Sequence, residues 1–365
     1  MATPRETWRA MSPRSRVAGV GGLVVVLVAL ALGGAYASGA LSGPTPTASD
    51  SADVEPTAVP PGTSLPPLPP TPSLAPDASP TESPSPTPPG SDPLLGTDGR
   101  YTVLLLGSDY RPAHPGNRTD AIMVVSIDPT TGASAAFSVP RDTTGFPLPS
   151  GKPFNEKVTG MYQYLLSTTK DGTKAMESAI SKAFGIEIDG TVFIGFAGVR
   201  QLVDDVGGID VTLAHAYYDP VYWVNSHHQG WGLPAGTSHL NGTTALIMAR
   251  SRHGDNDFER TRRQQILVMS ALTKVRTLGV GSLPKLLRIA AGTVRTDLPL
   301  TNAAQLFQLF ATADLAHANR TVFGPTTYAS GQGGTSFSPK LSACKAWIAA
   351  NFPPIRPNGT WTPAP

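Results

Sequence analysis

The stretch YTVLLLGSD, Tyr101 to Asp109, decides the fold. It is a short, β-rich apolar run that closes on glycine and polar residues, which reads as a buried strand whose end opens into a loop. Working outward, DAIMVVSID (Asp120–Asp128), the turn PTTG and ASAAFSVPRD (Ala133–Asp142) read as two strands of a hairpin. TKAMESAISKAFG (Thr173–Gly185) has Met176, Ile180 and Phe184 at helical spacing and Gly185 as a stop. TVFIGF is again a strand, AGVRQLVDDVGG a helix and IDVTL a strand. This alternation specifies an α/β chain, and the hairpin makes its central sheet mixed.

Further along, LNGTTALIMAR reads as a helix with Asn241 as N-cap. The segment after DNDFE forms a longer helix with Val268, Ala271, Leu272 and Val275 as its apolar stripe. More helices are expected over 279–315, then short strands and turns from Arg320 and a last helix near Ala343–Ala350. YWVNSHHQGWG reads as a loop. Its Trp223 and Trp231 are candidates for stacking on sugar, whereas His227, His228 and His239 lack a carboxylate at metal-ligand spacing.

The chain of 365 residues divides sharply by composition. Residues 1–16 carry Arg5, Arg9, Arg14 and Arg16, and residues 17–37 are uncharged and apolar. About 20 residues at roughly 1.5 Å each cross a hydrocarbon core of about 30 Å, so 17–37 is expected to be a transmembrane signal anchor. The leading arginines put the N-terminus in the cytoplasm and the rest outside, giving a single-pass protein of the cell membrane. AYA before Ser38 also fits a cleavage site, but the apolar run is longer than a usual signal peptide's. Residues 38–96, rich in Pro, Ser and Thr, are expected to be a disordered linker, and 97–365 the extracytoplasmic domain.

Net charge is +2, so no broad basic face calls for nucleic acid. The single cysteine, Cys344, excludes an internal disulfide framework and speaks against a cysteine-based zinc site. Basic character is instead local. ARSRHGDNDFERTRRQ (Ala249–Gln264) holds Arg250, Arg252, Arg260, Arg262 and Arg263 in a chain of which only 15% is charged. Arg260, Gln264 and Val268 are four apart, so the inward stripe of the long helix ends in an arginine and a glutamine.

Arginines at a helix N-terminus add positive charge to a positive end, which an anion repairs. Asp257 or Glu259 supplies part of that charge as N-cap or first-turn acid. An exposed helix laced with Arg–acid pairs accounts for Arg262 and Glu259. Arg118, Arg141 and Lys157, with Asp109, Asp120 and Asp142, fall at or near strand ends, where sites in α/β sheets are built. Together with Arg250, Arg252, Arg260, Arg263 and Asp257 they suit a multiply charged anion such as pyrophosphate. Asp109 and Asp120 offer hard oxygens suited to Mg²⁺.

The blocks LLLGSD, NRTDAIMVVSID, SVPRDT, KVTGMY, DDVGGIDV and LNGTTALIMARSRHGDNDFERTRRQ occur in order over about residues 100 to 275. In this the chain resembles the LytR-CpsA-Psr family of cell-wall glycopolymer ligases. The resemblance implies an α/β/α sandwich whose interior groove holds a lipid tail. It implies a phosphotransferase that moves a glycopolymer from a polyprenyl-pyrophosphate carrier onto a muramic acid hydroxyl of peptidoglycan. By family position, Asp109 and Asp120 look like ligands of Mg²⁺ (or Mn²⁺). Arg118, Arg141, Arg250, Arg252, Arg260 and Gln264 look like the pyrophosphate clamp, with Asp257 holding the arginines. Lys157 and Arg263 join the substrate-binding set. Asp120 and Asp142 are the two candidates for deprotonating the acceptor hydroxyl. KVTGMY departs from the common KINAAY in Thr159 and Gly160. Competing readings are a non-catalytic scaffold or sensor that binds the polyprenyl phosphate or wall polymer, and a polyprenyl-pyrophosphate hydrolase.

Overall fold

The computed structural model describes Leu95 and residues 98–109, 117–279, 294–298, 303–325, 327–330 and 336–356. The expected cytoplasmic segment, anchor and nearly all of the linker lie outside these residues, and no described helix is long and apolar enough to cross a membrane.

YTVLLLGSD does form the middle of the sheet. Strand β1 (Tyr101–Ser108) pairs antiparallel with β2 (Thr119–Ile127), which pairs antiparallel with β3 (Ser134–Ser138), the expected hairpin. Two short strands follow, β4 (Phe146–Pro147) and β5 (Pro153–Phe154), and then β6 (Gly190–Gly195), which runs parallel to β1. Strands β7 (Ile209–Leu213), β8 (Tyr217–Asn225), β9 (His228–Leu233) and β10 (Gly236–Leu240) lie outside the main sheet. With β11 (Val294–Thr296) and β12 (Asn319–Val322), the six-stranded mixed sheet has the order β11-β6-β1-β2-β3-β12.

All residues of β1, β2 and β3 are buried, because both faces of the sheet are covered. Alternation sends Tyr101, Val103 and Leu105 into one apolar cluster and Leu104 and Leu106 into the other. The second cluster is completed by α1 (Met161–Thr169), α2 (Gly172–Phe184) and, near the C-terminus, Cys344 and Ile348. On the first face lie α3 (Phe196–Asp205), α4 (Gly242–Arg250), α5 (Asp257–Leu278) and α6 (Ala303–Thr312). The last helix, α7 (Leu341–Asn351), belongs with the second face, so helices flank the sheet on both sides.

Local signals place most ends. Gly185 caps α2 in the left-handed conformation, and Asn241 accepts a hydrogen bond from Thr244 N at 2.9 Å to start α4. Three expectations need correction. The N-cap of α5 is Asn256, whose Oδ1 accepts from Phe258 N at 2.9 Å and Glu259 N at 3.0 Å; Asp257 is the first helical residue. A short amide side chain reaches both free N–H groups, which leaves the Asp257 carboxylate available for arginines. The span 279–315 contains the strand β11 as well as α6, because an edge of the sheet at β6 accepts it. The supposed loop around Trp223 is the β8–β9 hairpin.

Candidate active site

Strands β1, β3, β6 and β12 run in one direction, since β3 is antiparallel to β2 and β2 to β1. Their C-terminal ends meet at one edge, the usual place for a site in an open α/β sheet. Asp109 follows β1 there, and its Oδ1 accepts from Arg118 N at 3.0 Å. Beside it the register slips: Gly107 pairs with Ala121 and Ser108 with Thr119, so Asp120 is the extra residue of a β-bulge. Bulges re-aim side chains, and this one carries Asp120 into contact with the loop after β3. Arg141 Nη1 and Thr159 Oγ1 donate to Asp120 Oδ1 at 3.2 and 3.1 Å.

From Asp120 the charges continue as a connected chain. Arg141 Nε lies 3.4 Å from Asp257 Oδ1 and 3.9 Å from Asp142 Oδ2, and Lys157 Nζ lies 2.7 Å from Asp142 Oδ1. Arg260 Nη2 is 2.9 Å from the same Asp257 oxygen. Helix α5, the bulge of β2 and the loops after β3 and β5 therefore deliver Lys157, Asp142, Arg141, Asp120, Asp257 and Arg260 to one place, a convergence the sequence suggested. Arg262 pairs with Glu259 on the exposed side of α5, outside this chain.

The electrostatics of the centre are unfinished. Arg260 is completely buried. Its Nε and both Nη atoms have no hydrogen-bond partner; Nη2 is close enough to Asp257 for an ion pair but not aligned for a hydrogen bond. Burial lowers its pKa to about 10, and repulsion from Arg141 and Arg252 acts the same way against the attraction of Asp257 and Asp120. Burying a cation costs several kcal/mol unless it is paired and hydrogen-bonded, so this site favours an incoming anion. Asp120 is perturbed in the complementary sense. Burial, aided by the like charge of Asp109, pushes it up to about 6 although Arg141 and Arg260 pull it down.

A cation held by Asp109 and Asp120 would offset both the desolvation of Asp120 and its repulsion by Asp109. Among the described residues no group of three or more His, Cys, Asp or Glu could hold a metal ion. Two carboxylates alone fit Mg²⁺, which commonly takes one or two carboxylates and completes its shell with water and substrate phosphate oxygens.

The remaining arginines divide into rim and scaffold. Arg118 and Arg252 are exposed, and Arg250, the last residue of α4, lies over the Phe196 ring at 5.1 Å. Arg263 and Gln264 face inward and bond to the protein itself, although Arg263 Nε has no hydrogen-bond partner. Arg263 pairs with Asp255, donates to Ser251 O at 2.6 Å and covers the Tyr217 ring at 3.7 Å; Gln264 donates to Ala249 O at 3.1 Å. Both hold the loop between α4 and α5, which is where the structure puts these two substrate-binding candidates. His227 and His228 sit at the tip of the β8–β9 hairpin, and His239 on β10 pairs with Asp210 at 2.6 Å.

Sequence reasoning missed Asp219 and Thr159. Asp219, on β8, is fully buried and accepts from Ser251 Oγ at 2.6 Å, Arg252 N at 3.1 Å and His253 N at 3.0 Å. Burial alone would raise its pKa, but these donors hold it below the usual value. Apart from a turn bond from Val221 N at 3.1 Å, no local pattern marks it, since Ser251, Arg252 and His253 lie more than 30 positions away. Thr159 was visible only as a departure from KINAAY.

Known proteins share this fold and identify the family. TagU of Bacillus mycoides (strain KBAB4), named polyisoprenyl-teichoic acid–peptidoglycan teichoic acid transferase, is 29% identical over 175 residues, 47% of this chain and 52% of that protein. Cell wall biosynthesis protein LcpA of Corynebacterium glutamicum is 30% identical over 267 residues, covering 61% of this chain and 49% of LcpA. The chain thus spans about half the length of these relatives. The crystal structure of B. subtilis TagV superposes with a TM-score of 0.56 at 21% identity, covering 70% of this chain and 99% of that one. TagT bound to LIIa-WTA superposes at 0.53 and 20% identity, covering 72% and 93%; at these identities the likeness is one of fold. With the LytR_cpsA_psr family model matching residues 78–332, more than half of its length, the chain belongs to the LytR-CpsA-Psr family.

Proposed function

We propose that this protein is a phosphotransferase that moves a glycopolymer from a polyprenyl-pyrophosphate carrier onto a muramic acid hydroxyl of peptidoglycan, leaving a phosphodiester link. The observation that carries the reading is the buried Arg260 guanidinium without a hydrogen-bond partner, next to Arg141 and two carboxylates. Such a centre suits a dianionic pyrophosphate better than a neutral ligand, because forked guanidinium donors match phosphate oxygens. The names of TagU and TagV as teichoic acid transferases support the same chemistry.

Phosphoryl transfer asks a protein chiefly for positioning and charge neutralisation. In this mechanism the acceptor hydroxyl oxygen attacks the phosphorus that bears the glycan. A new P–O bond forms there, the bridging P–O bond to the carrier breaks, and polyprenyl monophosphate departs with the electron pair. Arg260 and Arg141 neutralise charge on the transferring phosphoryl group, while Arg250, Arg252 and Arg118 at the rim hold the leaving phosphate. Asp142, partly open to solvent and tied to Lys157, takes the hydroxyl proton. Asp109 and Asp120 would hold Mg²⁺ (or Mn²⁺), which supplies Lewis-acid stabilisation of phosphate oxygens. Asp257 keeps Arg141 and Arg260 from separating under mutual repulsion. The domain works outside the cytoplasmic membrane, held by an anchor at 17–37, as the arginines before that apolar stretch indicate.

The test combines the full chain in detergent with Mg²⁺, a lipid-pyrophosphate glycan and peptidoglycan. Lipid monophosphate release and glycan bound to muramic acid are followed together. Release and attachment that both need acceptor, Mg²⁺ and Arg260 are expected. Release without attachment would make the protein a hydrolase, and donor binding without turnover would make it a scaffold or sensor.

A further inference from the structure

The β8–β9 hairpin stands outside the main sheet, and its two sides differ. Tyr217, Asp219 and Tyr222 are buried, whereas Tyr218, Val221 and Trp223 are exposed; Tyr218 is 62% and Trp223 54% accessible. Tyr218 is nonetheless not a loose side chain. A methyl carbon added at Gly230 would lie 2.3 Å from its hydroxyl oxygen, and one at Gly232 would lie 2.9 Å from its Cδ2. The ring is therefore laid along the bare backbone of β9, in a space that exists because Gly230 (φ +92°) and Gly232 carry no side chain. One side is backed by backbone while much of the ring remains open to solvent.

The hairpin is also fastened to the anion site. Asp219 holds Ser251 Oγ and the backbone N–H groups of Arg252 and His253, and Tyr217 Oη lies 2.9 Å from Ser251 Oγ. A side chain at Gly254 would collide with Tyr218 O, so the root of the hairpin presses on the loop that carries Arg252. Anything bound on the outer side of the hairpin is thereby placed at a fixed offset from the reacting phosphate.

What binds there follows from its chemistry. From Tyr217 to Leu233 there is no Lys or Arg, and the one acid, Asp219, is buried. Such a surface has no attraction for an anionic lipid headgroup or a phosphate-rich polymer, and the tip NSHHQ (Asn225–Gln229) is too polar to enter a bilayer. Rigid aromatic rings beside amide and imidazole groups suit a neutral, flat-faced ligand with many hydroxyl and amide groups. We infer that Tyr218 and Trp223 form a stacking surface for the N-acetylhexosamine strand of the acceptor. The inference rests on the transferase reading above and adds the site that presents the acceptor to it. Trp231, singled out with Trp223 from the sequence, turns towards Tyr217 at 6.4 Å between rings and serves the hairpin's packing.

The full chain in detergent is titrated with an uncharged β-1,4-linked N-acetylglucosamine hexamer, with inorganic pyrophosphate, and with phosphatidylglycerol vesicles. Wild type is expected to bind the hexamer. Tyr218→Ala and Trp223→Ala should each weaken that binding about tenfold, the scale of an aromatic hot spot. Tyr218→Phe should keep it, and all three should keep wild-type pyrophosphate affinity and melting temperature. Absent hexamer binding by wild type, or equal affinity in the alanine variants, overturns the inference. Loss of vesicle binding instead of hexamer binding overturns it in favour of a membrane contact. Failure of the transferase reading has a different signature: wild type binds no pyrophosphate, whatever Tyr218 does.

Discussion

Strand β1 has a buried ionic cluster at each end, and the two are built differently. At its start, no buried nitrogen of the Arg100 side chain lacks a partner: Nε meets Asp98 Oδ2 at 2.7 Å, Nη1 donates to Pro353 O at 3.0 Å, and the guanidinium lies over the Phe352 ring at 5.6 Å. At its end, Arg260 is fully buried with no aligned acceptor. The first cluster ties residues before β1 to the chain after α7 and is complete as folded. The second is complete only with an anion from outside. A buried charge therefore reads as structural or functional according to how many of its donors are used, more than according to its depth.

Replacing each arginine tests that contrast most severely. Arg260→Ala is expected to cut transfer by about 10³-fold or more, about 4 kcal/mol, while stability stays level or rises. Arg100→Ala should do the reverse, losing about 3 kcal/mol of stability with unchanged turnover per folded molecule, because it strands Asp98 in the interior. Denaturant unfolding and the transfer assay on both variants decide it. Unfolding of Arg260→Ala comparable to that of Arg100→Ala would erase the distinction.

The start of β1 also predicts a pH effect. Burial pushes Asp189 up to about 8, although its carboxylate accepts from Thr102 N at 2.7 Å. The folded protein thus keeps a proton that the unfolded chain releases at about pH 4. This group's contribution is greatest below pH 4 and declines as pH rises towards 8. Asp189→Asn, which preserves an acceptor for Thr102, should flatten the decline by about 1–3 kcal/mol in melts across that window. An unchanged slope would show Asp189 to be ionised in the fold.

The smallest expected effect belongs to Thr159. Its hydroxyl donates one hydrogen bond to Asp120, worth about 1 kcal/mol. Thr159→Ala should lower transfer roughly tenfold or less and raise the Mg²⁺ concentration needed, with Thr159→Ser restoring both. A variant with wild-type Mg²⁺ dependence would mean that Arg141 alone orients Asp120.

Much of this site is legible in the sequence. Arg260, Gln264 and Val268 share a helix face by spacing alone, and all three are buried as that spacing requires. The β8–β9 hairpin was not legible, for reasons of turn chemistry. The strands meet across Ser226 and His227, without the Asn-Gly or Asp-Gly pair that marks a tight hairpin; Pro220 and two glycines further weaken the strand signal. For Arg263 and Gln264, sequence reveals side-chain type and face but not the Ser251 and Ala249 carbonyls that lie opposite.

The sequence by itself determined the quantities that depend on neighbours a few residues apart: the apolar strands, the Asn241 cap, the Gly185 stop and the arginine-rich start of α5. Only the tertiary structure decided the pairings between distant segments. It set Asp257 between Arg141 and Arg260, Asp219 under the loop of Arg252, and Asp120 on a bulge facing Thr159. The physical reason is that a charge's state depends on every dipole and charge around it within a few ångströms, and chain order says little about which those are.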